Sequence, residues 1–193
     1  MSARISPPVS LTIIREEHEH LSCILESMLF FVRAIQNGQP SPDLSVFRAM
    51  LYYICQYPER VHHPKEDKFL FAKIKDRTHQ LDTELDALSE QHGKGELMAH
   101  RLLTALQAYE FGGSDAFPHF HSLVEQYAHF YYAHMRMEEE RILPVALQVL
   151  NEADWAVIDS AFLENRKMMD EDGQRYHYDQ LFSRIISIMP VPQ

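Results

Sequence analysis

Along most of the chain, apolar residues return every three or four positions, the spacing of one face of an α-helix. The first such stretch, "SLTIIREEHEHLSCILESMLFFVRAIQ", ends at "NGQPSP", where Gly38 and two prolines stop it. Ser41, Pro42 and Asp43 read as the N-cap, first-turn proline and first-turn acid of a second helix. That helix continues through "LSVFRAMLYYICQY" to about Lys75. Pro58 and Pro64 lie inside it; each lacks a backbone donor, which predicts kinks rather than an end. A third helix is predicted from near Thr78 to "FGG", Phe111 to Gly113. Ser114 and Asp115 open a fourth, which reaches about Leu150 with a bend near Pro144. Asn151 then caps "EADWAVIDSAF", and Gly173 precedes "YDQLFSRIISIM", which makes two further helices. Long helices on short connections pack against their chain neighbours in alternating direction. The expected fold is all-α: an antiparallel up-down-up-down four-helix bundle with additional C-terminal helices. No linker or low-complexity segment interrupts it. The expectation is a single domain over 1–193, with the bundle at about 10–150 and the C-terminal helices at about 151–189.

Composition narrows the function. The chain has 193 residues, 46% apolar and 24% charged, enough for a substantial core under a soluble surface. A formal charge of -10 opposes binding to phosphate backbones and to anionic membrane surfaces, so neither nucleic acid nor membrane is an expected partner. No apolar run nears the roughly 18 residues of a membrane span. The start, "MSARISPPVS", lacks the apolar stretch of a signal peptide. Cys23 and Cys55 stand far apart and outside any CxxC pair, and read as small buried core residues in a reducing, cytoplasmic setting. Oligomeric state is not legible. Histidine, at 12, is the outlier.

Those histidines fall in a repeat. In "VHHPKEDKFLF" and "AHMRMEEERILPVA", His62 aligns with His134, Glu66 with Glu138, Asp67 with Glu139, Leu70 with Ile142 and Phe71 with Leu143, 72 residues apart. On the first and third helices, "IREEH" and "LSEQH" align Ile14 with Leu88, Glu16 with Glu90 and His18 with His92. The order is therefore His, HxxxE, His, HxxxE, one element per helix. Residues four apart share a helix face, so His62 with Glu66, and His134 with Glu138, can aim at one point. His63 competes with His62, and His20 with His18. The repeat favours His62, because Met135 aligns with His63, and His18, because Lys94 aligns with His20. His129 sits off the face of His134 and reads as structural, while His79, His100, His119, His121 and His177 lack partner spacing and read as surface or helix-end residues.

Four imidazoles and two carboxylates converging inside a bundle need a cation to compensate them. A mixed nitrogen and oxygen set suits iron, manganese or zinc. Two octahedral ions offer about 12 positions, and this set with an oxo or hydroxo bridge fills about ten, leaving room for a small molecule. The related design of Glu on two helices and ExxH on two others is met once, by "ERVH" at Glu59 to His62. It fails in the second repeat, where Tyr131 stands in place of Glu.

The elements "EEHEHL", "HHPKEDKFLF", "SEQH" and "HMRMEEERILP" resemble the hemerythrin-like, or HHE cation-binding, family, over roughly 10–165. The resemblance implies a four-helix bundle around a non-haem di-iron centre with an oxo or hydroxo bridge, with zinc or manganese as substitutes. Its implied ligands are His18, His62, Glu66, His92, His134 and Glu138. Family members bind dioxygen, sense oxygen or nitric oxide, handle iron, or repair damaged iron–sulfur centres. The expected function is binding or sensing of a small ligand such as dioxygen or nitric oxide, or iron handling in stress. Alternatives are a di-iron redox enzyme reducing peroxide or nitric oxide, iron–sulfur repair, and an interaction bundle with structural zinc. Oxygen carriers of this family place a second histidine one turn from the first on the third helix; here Leu88 and Glu96 flank His92 at those distances. The six-residue set is closer to the iron–sulfur repair proteins, which usually carry an N-terminal cysteine-bearing segment that the sequence does not show.

Overall fold

The computed structural model describes residues 7–171, together with positions 180 and 183. Its framework is a bundle of four antiparallel arms. The first is α1 (Val9–Gln36). The second, 44–77, is built from α2 (Leu44–Gln56), a π-helical turn Pro58–His62, the short α3 (His63–Lys65), a second π-helical turn Glu66–Phe71, and α4 (Ala72–Arg77). The third is α5 (Asp82–Gly112), closed by the 3₁₀ turn Gly113–Asp115. The fourth is α6 (Phe117–Met137), a π-helical turn Glu138–Ile142 and α7 (Leu143–Val149). Each arm packs on two others: α1 on α2 and α6, and α5 on α2 and α6. α8 (Glu152–Glu171) then lies along α1 and the π turn at Glu66–Phe71.

Several boundaries differ from the periodic reading, each for a local reason. Asp43, not Ser41, caps α2; its carboxylate accepts the Ser45 N–H at 2.8 Å. Thr78 is extended (φ -155°, ψ 146°), so the third arm starts at Asp82. Gly113 ends it at φ 65°, a conformation that costs a glycine little. Ser114 and Asp115 belong to the closing 3₁₀ turn, and the fourth arm begins at Phe117. The prolines do not produce simple kinks. Pro58 opens a wide turn in which the His62 N–H reaches back five residues to the Tyr57 carbonyl at 3.1 Å. Asn151 does cap α8, its side-chain oxygen accepting the Asp154 N–H at 3.0 Å. The helix expected at "YDQLFSRIISIM" and His177 lie outside the described residues, positions 180 and 183 apart.

The apolar interior is in two blocks. One gathers Leu25, Phe31, Phe47, Met50, Leu102, Phe120 and Tyr127 towards one end of the bundle. The other gathers Ile14, Leu70, Phe71, Leu85, Ile142, Trp155 and Phe162 towards the other. Between them runs a polar layer: Glu17, His18, Glu59, His62, His63, Glu66, His92, His134 and Glu138 are all buried. α8 covers this side of the bundle. Ser10 donates to Asp159 at 2.8 and 2.6 Å, Lys65 to the Ala161 carbonyl at 2.6 Å, and Arg77 to Asp154 at 2.8 and 3.0 Å.

Candidate metal centre

All six residues singled out by the repeat meet in the polar layer. His18 comes from α1, His92 from α5 and His134 from α6, while His62 ends one π turn. Glu66 and Glu138 each open a π turn, so the sequence repeat is also a backbone repeat. A π turn is rare and is found mostly at functional sites. Here it widens the helix directly after each HxxxE and narrows the angle between successive side chains. Glu66 and Asp67 in one copy, and Glu138 and Glu139 in the other, are thereby both brought to bear on the interior.

The carboxylates lie between histidines of different arms. Glu138 approaches His18 Nε2 at 3.2 Å, His134 Nε2 at 3.2 Å and His92 Nε2 at 3.9 Å. Glu66 approaches His62 Nε2 at 3.4 Å and His92 Nε2 at 3.7 Å. Yet the Nε2 atoms of His18, His62, His92 and His134, and both oxygens of Glu66 and of Glu138, are buried without a hydrogen-bond partner. Buried polar atoms are almost always paired, and an orphan costs about 1–3 kcal/mol. A cluster of them directed at a common space fits a metal ion, not a hydrogen-bond network. Two overlapping groups drawn from these six have the proximity to hold one, Glu66, His92, His134 and Glu138, and His18, His62 and Glu66; a third joins His63 to His92 and His134.

The opposite edge of every imidazole is held. His18 Nδ1 lies 2.8 Å from Glu139 and His92 Nδ1 2.9 Å from Asp67. His62 Nδ1 lies 2.5 Å from Glu17 and His134 Nδ1 3.0 Å from Gln91. The pattern is two-fold: the residue after each glutamate of HxxxE orients the lone histidine of another arm, and the residue before each lone histidine orients the histidine of HxxxE. Such contacts fix ring orientation and tautomer and raise ligand basicity. The sequence reading assigned no role to Glu17, Asp67, Gln91 or Glu139. The signal was present, because Asp67 aligns with Glu139 and Glu17 with Gln91 in the repeat.

Burial separates one rival pair and not the other, since His62 and His63 are both buried. His20 is exposed and His18 buried. His129, His79, His100 and His119 are exposed, but His121, expected at the surface, is buried and stacks on Phe117 at 5.7 Å. Glu96 is exposed and Leu88 belongs to the core, so neither joins the layer. Cys23 and Cys55 are half-buried free thiols rather than full core residues. Tyr131 does not turn its hydroxyl to the carboxylates of HxxxE; it donates to Glu59 at 2.5 Å, and Tyr127 donates to the same oxygen at 3.0 Å.

Without metal the site is a charged network. Burial pulls the His18 and His92 imidazoles down. For His18 the ion pairs to Glu138 and Glu139 outweigh burial; for His92 those to Asp67 and Glu138 do. Both end raised to about 9. His62 is likewise held well above its ordinary range, with burial outweighed by Glu66 and Glu17. Burial raises Glu138, but His134, His18 and His92 outweigh it and hold the carboxyl well below the usual range. Burial lifts Glu59 to about 7, against its tyrosine donors. A metal would therefore displace protons as it binds.

The hemerythrin HHE cation-binding domain model matches residues 9–146, well over half of the chain. The chain belongs to the hemerythrin HHE cation-binding family. None of the curated proteins compared with it matches. The match to the HHE domain ends within α7, so α8 lies beyond it. α8 nevertheless reaches the centre of this HHE domain: the Phe162 ring stands edge-on to His62 at 6.3 Å.

Proposed function

We propose that this hemerythrin-like protein holds two iron ions and binds or senses a small ligand such as dioxygen or nitric oxide. The observation that carries the reading is the set of buried atoms without hydrogen-bond partners on His18, His62, Glu66, His92, His134 and Glu138. These six residues would hold the metal, with Glu66 and Glu138 spanning the pair. The iron pair would supply redox chemistry and open coordination positions. The chain supplies four imidazoles fixed through Nδ1 and two carboxylates kept dry between apolar blocks.

Room for a ligand is small. A cavity of about 10 Å³, the room of roughly one water molecule, lies against His18, His62, His63, Leu21, Tyr57 and Met135. It suits a diatomic molecule or a small anion. Among the described residues no helix is long and apolar enough to cross a membrane. A second reading, catalytic reduction of peroxide or nitric oxide, is favoured by Glu59, a buried carboxyl raised to about 7 that could carry a proton near neutral pH. Turnover of peroxide or nitric oxide separates it from reversible binding.

The test is metal analysis with an optical spectrum. Iron-replete protein should hold about two ions per chain, the number this ligand inventory suits. Azide or nitric oxide should change its visible spectrum. One ion or none, or a spectrum indifferent to both ligands, would contradict the proposal.

A further inference from the structure

The two-fold pattern fails at one position. His63 aligns with Met135 in the repeat, and their surroundings differ accordingly. His63 is buried, and one of its ring nitrogens lies within 4.8 Å of ring nitrogens of both His92 and His134. Its Nδ1 faces Glu59 Oε2 at 3.3 Å. The other four histidines likewise face an oxygen through Nδ1. The ring is also held by its faces, nearly parallel to His92 (4.4 Å, 10°) and to Tyr131 (5.6 Å, 6°). Glu59 is in turn fixed by Tyr127 and Tyr131. The Tyr131 hydroxyl lies so close to α5 that a Cβ on Gly95 would meet it at 1.9 Å. Five residues thus combine to hold one imidazole beside the centre.

We infer that His63 is a fifth imidazole ligand, placed by the second arm on the ion that His92 and His134 hold. The inference rests on the di-metal reading above. It replaces the histidine that the third arm lacks, where Leu88 is in the core and Glu96 is exposed. It also makes the pair unequal. Three imidazoles, His63, His92 and His134, serve one ion; two, His18 and His62, serve the other. Fewer imidazoles at the second would leave it the more open of the two. The small cavity touches His63 as well as His18, His62 and Met135. Met135, the counterpart of His63, contributes a thioether whose sulfur meets the Ser22 hydroxyl at 3.9 Å.

Two measurements test this. Cobalt(II)-loaded wild-type protein should show five paramagnetically shifted, exchangeable imidazole N–H resonances. Four would overturn the role of His63 while leaving the metal site standing, and none would overturn the site itself. In ferrous titrations, His63→Ala should bind the tighter of its two ions at least about tenfold more weakly than the wild type does, with free imidazole restoring the loss. An unchanged affinity for the tighter ion would overturn the inference. So would a loss that imidazole does not rescue, since a purely structural histidine would behave that way. The cobalt count uses only wild-type protein and stands if the variant fails to fold.

Discussion

At the scale of single residues, the outer contacts of the imidazoles matter as much as the imidazoles. Asp67 and Glu139 each touch one lone histidine through Nδ1, and each is partly exposed. Replacing either with Ala leaves the six inner residues in place but frees a ring to rotate. Asp67→Ala and Glu139→Ala should each weaken metal binding by about 10–100-fold. Glu96→Ala, on an exposed face of the same arm as His92, should leave it unchanged. Competition with a chelator of known affinity measures all three; equal affinities would show that ring orientation is not held from outside. Gly95 is the other residue whose chemistry is its lack of a side chain. Gly95→Ala should push Tyr131 off Glu59, because the new Cβ would sit 1.9 Å from the hydroxyl oxygen. Ultraviolet difference spectra of the tyrosines should report the displaced phenol, and an unperturbed spectrum would mean that α5 had moved instead.

At the scale of elements, the π turns and α8 are what regular periodicity conceals. Two of the three described π turns start at a glutamate of HxxxE, so a departure from α-geometry occurs at both equivalent points of the bundle. Pro144 follows its π turn and Pro64 precedes its own, each removing a backbone donor where the ladder is already rearranged. α8 closes the flank beside His62 with Phe162, which is fully buried. Phe162→Ala removes a large buried ring and should cost about 3–5 kcal/mol in chemical denaturation of the metal-loaded protein. The same change should speed loss of metal to a chelator, because water gains a path to His62. A variant of wild-type stability and exchange rate would mean that α8 is dispensable to the centre.

At the scale of the whole molecule, the centre links stability to pH and to metal. In the metal-free fold, His18 and His92 keep their protons to about 9, against 6.5 for an ordinary imidazole. Their ion pairs thus stabilise the fold fully below about 6.5, and that contribution is lost as pH rises through about 9. Glu59 acts in the same sense at lower pH: its pKa is raised from 4.5 to about 7, so charging it in this window disfavours the folded state. The melting temperature of chelator-treated protein should fall as pH rises across this range. Metal-loaded protein should gain relative to it, because fewer protons compete for the ligands at higher pH. Calorimetry of both forms decides; a metal-free midpoint that stays level or climbs would contradict the charged network.

The fold class and the six converging residues were legible in the sequence because both depend on local spacing. A helix face repeats every three to four residues, and two HxxxE units in register place their side chains on one face wherever the helix lies. The choice of His18 over His20 followed from that alignment, and the burial of His18 beside an exposed His20 agrees with it. Other features depended on atoms distant in sequence. Nothing within the second arm indicates that Glu17 would meet His62 across 45 residues, or that Asp67 would meet His92 across 25. His63 looked like a rival to His62, because spacing along one helix admits one residue per face position. In the folded bundle they serve different neighbours, His62 beside His18 at 5.2 Å and His63 beside His92 at 4.4 Å. The prolines announced irregularity, but its form as wide turns followed from packing against the other arms. The sequence by itself determined which faces would be polar; the tertiary structure decided which neighbours each polar group would meet, since those contacts form only when four helices close around a common interior.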